Sequence, residues 1–279
     1  MNISPSTLCS RWPAAFLATA IAIGYASSAA AQPAPLPPAL LALQKQGARI
    51  VGSFDSASGL KAYAAIIGGQ AFPLYVAADG RHVIMGMALD DAGGNADEAA
   101  LDRATRTPLA ADIWKELESS HWIADGRGDA PRIVYVFTDP NCPYCSRFWA
   151  DARPWVDSGK VQLRHIIIGI LAPSSPAKAV ALLSSKNPSH LFSAYETGRA
   201  RALGRTVASS GPDDGPVELT NAPATSAPSV ESWVDANDAL MTSLGLHGTP
   251  GIVWRDRHGA LQRRAGVPDA LLAEVLGAR

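Results

Sequence analysis

The sequence has little cysteine and no marked excess of charge of either sign. Its 279 residues contain three cysteines, too few for the disulfide framework of a small secreted scaffold. Lysine and arginine number 24 against 25 aspartates and glutamates, a balance that excludes a strongly basic nucleic-acid-binding protein and an acidic disordered chain. Glycine and proline follow no regular period, which excludes a collagen-like protein. At about 150 residues per domain, the length predicts about two folded domains.

Long apolar runs are also scarce, and the one near the N-terminus has the pattern of a secretory signal. Arg11 precedes an apolar run over residues 14–24, and the small residues that follow end at Ala31. A basic start, a run too short to cross a bilayer and an A-x-A exit predict a signal peptide over residues 1–31, cleaved near Ala31. The alternative is an apolar helix of the mature fold. With a signal peptide, the protein is expected to be exported.

Export changes what the other two cysteines indicate. Cys142 and Cys145 form the motif C-P-Y-C, and an oxidising compartment favours a disulfide between them. A disulfide across so short a loop removes little entropy from the unfolded chain and hardly stabilises a fold. Redox chemistry without a metal or cofactor is therefore the favoured interpretation. Two alternative interpretations are an inert surface disulfide and half of a zinc site. For the zinc site, neither His121 nor His165 has the spacing of a second ligand pair.

Ahead of the motif, the residues predict a small α+β module and a helical linker. The module covers residues 32–91, where a proline-rich tether is followed by a helix at 40–47 and strands at 48–54, 60–67, 70–76 and 82–88. A module of this size has a marginal core. Burial against a second copy would complete that core, and the alternative is packing onto the rest of its own chain. The linker covers residues 92–120 and is predicted as two helices, 96–106 and 110–120, that Pro108 separates.

Residues 121–279 alternate strands and helices around C-P-Y-C. An apolar, β-branched run over 132–138 predicts a buried central strand, and a helix can begin at Pro143 because proline is tolerated in a first turn. The remaining pattern predicts a strand at 161–168, helices at 176–185, 190–201 and 230–244, an exposed loop at 209–229, a hairpin at 249–254 and 260–265, and a last helix at 269–276. This order is typical of an α/β thioredoxin-like domain with a helical insertion.

The predicted helix start gives the two cysteines different roles. Unpaired backbone N–H groups and the positive end of the helix dipole favour a thiolate at Cys142, which is expected to be the exposed nucleophile. Cys145, one turn further on, is expected to be the buried resolving thiol. Pro143 and Tyr144, between the cysteines, are expected to tune the redox potential.

Two further positions bear on this chemistry. Thr249–Pro250 precedes a predicted strand, at the place where a thioredoxin-like fold carries a cis proline that faces the cysteines and a backbone that pairs with an extended substrate. Many thioredoxins have a buried carboxylate six residues before the first cysteine, which helps to move the proton of the resolving thiol. Here that position is Val136. Water or another group must then handle the proton, or the resolving step is slow.

The motif and its surroundings resemble the DsbC/DsbG family of periplasmic thiol:disulfide interchange proteins, and the DsbG type in particular. The resemblance rests on residues 122–126, Thr249–Pro250, VYVFTDPNCPYCSRFW (134–149) and ARPWVDSGKVQLR (152–164). It covers most of the chain after the predicted signal peptide. It implies a periplasmic protein in which residues 32–91 form a homodimer interface and residues 121–279 form the catalytic domain.

The same resemblance implies roles for the site residues and partners for the protein. Cys142 is then the attacking thiol, Cys145 resolves the mixed disulfide, and Thr249 and Pro250 line the substrate groove. The cysteine pair of this family is kept reduced by a membrane reductase of the DsbD type. It isomerises wrong disulfides, or reduces cysteines oxidised to sulfenic acid, in misfolded or oxidised exported proteins.

Three functions stay open on the sequence alone, and none of them involves nucleic acid. The leading one is a dimeric reductase or isomerase that acts on exported proteins and binds them as a chaperone does. A DsbA-like dithiol oxidase that introduces disulfides is also compatible with C-P-Y-C. The direction of exchange depends on the redox potential of the cysteine pair relative to that of the compartment. For this two-electron couple, a difference of about 30 mV corresponds to about 1.4 kcal/mol. The third is a redox-independent chaperone whose apolar cleft holds unfolded segments.

Overall fold

Two separate β-sheets organise the chain. The computed structural model describes residues 35–207, 218–219 and 228–279. The predicted signal peptide over 1–31 and its cleavage near Ala31 lie outside the described residues, as does most of the predicted loop at 209–229. Among the helices that are described, none is long and apolar enough to cross a membrane.

The first sheet is antiparallel, with four strands in the order β1-β2-β3-β4. A short helix precedes it, and the elements are α1 (Pro38–Lys45), β1 (Arg49–Asp55), β2 (Lys61–Ile67), β3 (Gln70–Val76) and β4 (Val83–Met85). They confirm the predicted helix and the four predicted strands, although β4 is shorter than the run 82–88. The inner strand β2 has five consecutive buried residues, so this sheet has a core of its own.

A single helix, α2 (Glu98–Ser119), follows the first sheet. The expectation of two helices separated by Pro108 is wrong, because Pro108 lies inside α2. Proline in a helix interior removes one backbone hydrogen bond at a cost of about 3 kcal/mol, and packing against β1, β2 and β3 keeps the helix continuous. Its start is held by the buried carboxylate of Asp97, which accepts hydrogen bonds from Ser56 Oγ (2.6 Å), Ala57 N (2.9 Å) and Tyr75 Oη (2.8 Å).

The second sheet has five strands in the order β5-β7-β6-β8-β9. They are β5 (Trp122–Asp125), β6 (Arg132–Thr138), β7 (Val161–Ile167), β8 (Gly251–Arg255) and β9 (Leu261–Ala265). Strands β6 and β7 are parallel, and the other neighbouring pairs are antiparallel. The sequence pattern does not predict β5, because four residues are too few to show an alternation.

Helices pack around the second sheet and form an insertion between β7 and β8. Helix α3 (Pro143–Asp157) follows β6, the insertion contains α4 (Ser175–Leu183), α5 (Pro188–Ala202) and α6 (Pro228–Ser243), and a 3₁₀ turn after β9 leads into α7 (Leu272–Leu276). Two parallel strands joined by a helix, then an antiparallel hairpin and a last helix, are the thioredoxin order. The predicted thioredoxin-like fold with a helical insertion is confirmed.

Strand β6 is buried on both faces, as its apolar run predicts. Val134 and Val136 point to one face and pack with residues of α3 and α7. Tyr135 and Phe137 point to the other face and pack with residues of α2 and α6. The C-terminal end of β6, from which the C-P-Y-C loop emerges, is therefore held between two hydrophobic layers.

The turn that leads out of β5 depends on Gly126. Its backbone has a φ of +103°, and a Cβ atom there would lie 2.8 Å from the Val161 carbonyl oxygen and 2.9 Å from Val156 Cγ1. We expect Gly126→Ala to lower the free energy of unfolding by about 2–4 kcal/mol, because backbone strain and overpacking act together. Urea denaturation measures this loss.

Gly128→Ala is the matched control for this substitution. The nearest atom to a Cβ at Gly128 is Gln162 Nε2, at 4.0 Å, and the backbone there is outside the left-handed region. Its free energy of unfolding should stay within about 1 kcal/mol of the wild-type value. Equal destabilisation by the two substitutions would show that the close packing around Gly126 does not limit stability.

Candidate active site

The C-P-Y-C motif lies at the start of α3, directly after β6. Cys142 is the N-cap residue of this helix, and Pro143 occupies its first turn. The backbone N–H of Cys145 donates a hydrogen bond to Cys142 Sγ over 3.2 Å. First-turn amides have no partner within a helix, so the sulfur of Cys142 satisfies a donor that would otherwise be unpaired.

A buried carboxylate shapes the loop that leads to the motif. Asp139 is fully buried, and its side chain accepts hydrogen bonds from Asn141 N (2.8 Å), Ile170 N (2.9 Å), Leu171 N (2.9 Å) and Ser175 Oγ (2.8 Å). These bonds join the C-P-Y-C loop to the segment between β7 and α4. Because its oxygens are fully engaged, Asp139 positions the loop.

The second predicted element, Thr249–Pro250, lies against the cysteines. The peptide bond between these two residues is cis, and the Cys142 thiol approaches the Thr249 carbonyl oxygen at 3.6 Å. The topology accounts for this contact, since β8 pairs antiparallel with β6 and its first residue lies beside the end of β6. The fold therefore brings together residues that are 107 positions apart in the chain.

Cys142 is not exposed, contrary to the expectation from its place at a helix start. Its exposed fraction is 2%, the same as that of Cys145. The Thr249 segment lies against its sulfur, and local sequence does not reveal this long-range contact. Tyr144 is 68% exposed, and Pro143 is exposed as well. The two residues between the cysteines, rather than the sulfurs, thus form the outer surface of the motif.

The two thiols differ in acidity. The pKa of Cys142 is lowered to about 6, chiefly by a hydrogen bond with the Cys145 side chain; burial opposes this change, while Thr249 and the backbone amides of Cys145 and Tyr144 add to it. The pKa of Cys145 is raised well above its ordinary value, first by burial and then by its interaction with Cys142. At neutral pH the pair therefore consists of a Cys142 thiolate and a protonated Cys145.

A buried ion pair anchors α3 to β5. Arg153 Nη1 of α3 donates to Asp125 Oδ1 of β5 over 2.9 Å, and His165 Nε2 lies 3.4 Å from the same carboxylate. Burial would raise the pKa of Asp125, but His165 and Arg153 outweigh it and hold the pKa below its usual range. In the described part of the chain, no three His, Cys, Asp or Glu side chains cluster as metal ligands do.

One buried acidic residue near the site is missed by the sequence analysis. Glu196 lies on α5 and is 1% exposed. It shares the buried face of that helix with Phe192, Tyr195 and Ala200. An acidic residue within an otherwise apolar stripe at helical spacing is the signal that could have found it, because glutamate is rarely fully buried without a partner.

Curated relatives match nearly the whole chain. The thiol:disulfide interchange protein DsbG of Pseudomonas aeruginosa is 43% identical over 263 residues, which are 94% of this chain and 94% of that protein. The protein of the same name from Escherichia coli is 38% identical over 241 residues, which are 86% of this chain and 91% of that protein. No protein-family model matches the chain.

Solved structures show a weaker likeness. The catalytic domain of Proteus mirabilis ScsC covers 61% of this chain and 96% of its own, with 21% sequence identity and a TM-score of 0.47. The fold assignment rests on the strand order and helix positions described above.

The acidity of Cys142 can be measured through its reactivity. We expect the rate at which iodoacetamide alkylates the reduced protein to rise with pH around a midpoint of about 6, well below the ordinary thiol pKa of about 8.5. Cys145→Ala should move this midpoint upward, because it removes the largest of the interactions that lower the pKa of Cys142.

Cys142→Ser is the control for this measurement. The cysteine left in that variant, Cys145, has a pKa raised well above its ordinary value, so it should react slowly at neutral pH. A midpoint near the ordinary value of about 8.5 in the wild-type protein would contradict a thiolate at the start of α3.

Proposed function

The chain belongs to the DsbG family of thiol:disulfide interchange proteins, and we propose that Cys142 and Cys145 carry out the exchange. A disulfide isomerase or reductase needs a thiolate to attack a client disulfide and a second thiol to release the product. The contrast between a low pKa at Cys142 and a high pKa at Cys145 is the observation that supports these roles.

The proposed cycle begins with the Cys142 thiolate. Its sulfur attacks a client disulfide, a bond from Cys142 to the client forms, the client S–S bond breaks, and the second client sulfur leaves as a thiolate. In isomerisation, another client thiolate attacks the mixed disulfide and releases Cys142 unchanged. In reduction, Cys145 attacks Cys142 Sγ, and the client gains the two electrons that the enzyme pair loses. A client sulfenic acid enters the same mixed disulfide with loss of water.

We place the client groove where Thr249–Pro250 meets the motif. The Thr249 backbone beside Cys142 supports this proposal, and so do large exposed side chains nearby. Tyr144 lies within the motif, and Ile170 and Leu171 are bonded through their backbones to Asp139. An exposed apolar rim suits unfolded segments of a client, so we propose chaperone-like binding as part of the same activity, with Pro143 and Tyr144 tuning the redox potential.

The exchange chemistry requires a compartment in which client disulfides form. We therefore propose that residues 1–31 are a signal peptide, cleaved near Ala31, and that the protein acts in the periplasm. A pair that isomerises disulfides must be kept reduced. We propose a membrane reductase of the DsbD type as the electron donor, and misfolded or oxidised exported proteins as the clients.

The N-terminal sheet supports the further proposal of a homodimer, with residues 32–91 as dimerisation domain, 92–120 as linker and 121–279 as catalytic domain. Strand β4 is an edge strand of this sheet. Large apolar side chains on and just after it are exposed, namely Ile84, Met85, Met87 and Leu89. An apolar sheet edge of this kind is prone to pair with another chain, and a second copy would cover it.

The redox state of the cysteine pair in cells tests the direction of exchange. Intact cells are quenched with acid, free thiols are alkylated with a heavy maleimide, and the mobility shift is read on a non-reducing gel. We expect the pair to be mostly reduced, because an isomerase or reductase needs the Cys142 thiolate. The variant Cys142→Ser/Cys145→Ser marks the unshifted position. A mostly oxidised pair would contradict the proposal and favour a DsbA-like oxidase.

Two charges on the β4 edge test the homodimer. We expect Met85→Glu combined with Met87→Glu to convert a dimer to a monomer, because the carboxylates of two copies would meet at the interface without partners. Size-exclusion chromatography with light scattering measures the mass. Leu203→Glu, at a leucine that is 47% exposed at the end of α5, is the control and should remain dimeric. A monomeric wild-type protein, or a doubly substituted protein that stays dimeric, would overturn the proposed interface.

A further inference from the structure

A carboxylate without hydrogen-bond partners lies close to the C-P-Y-C motif. Glu196 of α5 is 1% exposed. Among the residues that the structure describes, no donor forms a hydrogen bond with either of its carboxyl oxygens. Burying an acidic group without a partner is costly, and such groups in folded proteins call for a functional explanation.

The contacts on either side of Glu196 hold it against the motif. Helix α5 packs on α3. The Tyr195 hydroxyl donates to the Pro140 carbonyl oxygen, just before the motif, over 2.7 Å. One turn later, Arg199 Nε donates to Ser146 Oγ, the residue after the motif, over 3.0 Å. Glu196 lies between these two anchors along α5, and its side chain interacts electrostatically with both Cys145 and Cys142, so its carboxylate lies close to the segment that carries both cysteines.

The resolving thiol needs a proton acceptor that β6 does not supply. Cys145 is buried, and burial is the main cause of its raised pKa. It must lose its proton before it can attack Cys142. The position where many thioredoxins carry a buried carboxylate is occupied by Val136, which is fully buried in the apolar core. Water or a side chain from another element must then take this proton.

We propose that Glu196 accepts the proton of Cys145 in the resolving step, an inference that rests on the proposed roles of the two cysteines. In the mixed disulfide, the Cys145 S–H proton passes to the Glu196 carboxylate, directly or through one water. The Cys145 thiolate then attacks Cys142 Sγ. The bond between the two cysteines forms, the bond to the client breaks, and the client sulfur leaves as a thiolate with the electron pair.

The charges around Glu196 change during the cycle, and this changes the pKa of its carboxyl group. The pKa of Glu196 is raised to about 7, chiefly by burial; Ser146 and Arg199 lower it, and the negative charges of Cys142 and Asp125 raise it. Formation of the mixed disulfide removes the charge of Cys142. The pKa of Glu196 therefore falls at that moment, and near neutral pH its carboxyl group ionises to the form that accepts a proton.

Other charged groups on or beside the elements packed against α5 have partners of their own, and on α3 Arg147 pairs with Asp151 and Asp269, while Asp157 lies 3.9 Å from Arg153. Lys178 of α4 donates to Asn141 Oδ1 over 2.7 Å. Asp139 is held by the loop hydrogen bonds described above, and Asp125 of β5 is paired with Arg153 of α3. These carboxylates are engaged, so in the described part of the site Glu196 is the one placed to take a proton.

The aromatic disulfide dithiobis(nitrobenzoate) separates the two steps of the exchange. Attack by Cys142 releases one thionitrobenzoate and leaves a mixed disulfide, and attack by Cys145 then releases a second. Proton transfer by a positioned side chain typically contributes about 10²–10⁴-fold. In Glu196→Gln we therefore expect the first phase to stay within about twofold of wild type and the second to slow by at least about tenfold near neutral pH. Stopped-flow absorbance measures both phases.

The pH profile of the second phase distinguishes proton transfer from a structural effect. In the wild-type protein this rate should rise to a plateau as Glu196 ionises. In Glu196→Gln the plateau should be lost, and the rate should rise about tenfold per pH unit because hydroxide then removes the proton. Glu196→Asp, which keeps a carboxylate, should keep a plateau. The control Glu116→Gln makes the same change at an exposed residue of α2 and should leave both phases unchanged.

The possible failures are distinguishable. A normal first phase with an unchanged second phase in Glu196→Gln would overturn the role of Glu196 and leave the cysteine roles intact. A first phase that persists in Cys142→Ser would instead overturn the proposed function. If Glu196→Gln does not fold, the wild-type profile decides, because a second phase that rises about tenfold per pH unit without a plateau excludes Glu196 as the acceptor.

Discussion

The contact between the two cysteines at the start of α3 is the interaction on which the site depends: the Cys145 side chain contributes most to the lowered pKa of Cys142, and the Cys145 N–H donates to the Cys142 sulfur. It exists because α3 begins at Pro143, immediately after Cys142, and leaves the first-turn amides without helical partners. The same helix start buries Cys145 one turn further in. The same local arrangement thus accompanies a lowered pKa at Cys142 and a raised pKa at Cys145, which gives a thiolate at the first cysteine and a protonated thiol at the second.

This helix start is held in place by contacts from distant parts of the chain. Asp139 joins the loop before the motif to the segment after β7. Arg153 fixes the middle of α3 to Asp125 on β5, and the pairing of β8 with β6 brings the Thr249 carbonyl to Cys142. The acidity of Cys142 is therefore a property of the assembled domain as well as of the C-P-Y-C sequence.

Most of the fold can be predicted from the sequence where the pattern is local and strong. The apolar run over 132–138 is strand β6 to the residue. Prediction fails where long-range packing outweighs local preference: α2 continues through Pro108 because it lies on the first sheet, and Cys142 is covered by Thr249 from a separate strand. The sequence signals only that Glu196 is buried, as an acidic residue in an apolar stripe; its place beside the cysteines depends on the packing of α5 on α3.

The helical insertion contributes contacts to the C-P-Y-C site that the thioredoxin-like sheet does not supply. Ser175 at the start of α4 holds Asp139, and α5 contacts the residues on both sides of the motif through Tyr195 and Arg199. A carboxylate on β6 would be fixed to the motif by the sheet. With Glu196 as the acceptor, the carboxylate belongs instead to a helix of the insertion. Under this proposal, release of the client depends on how α5 packs against α3.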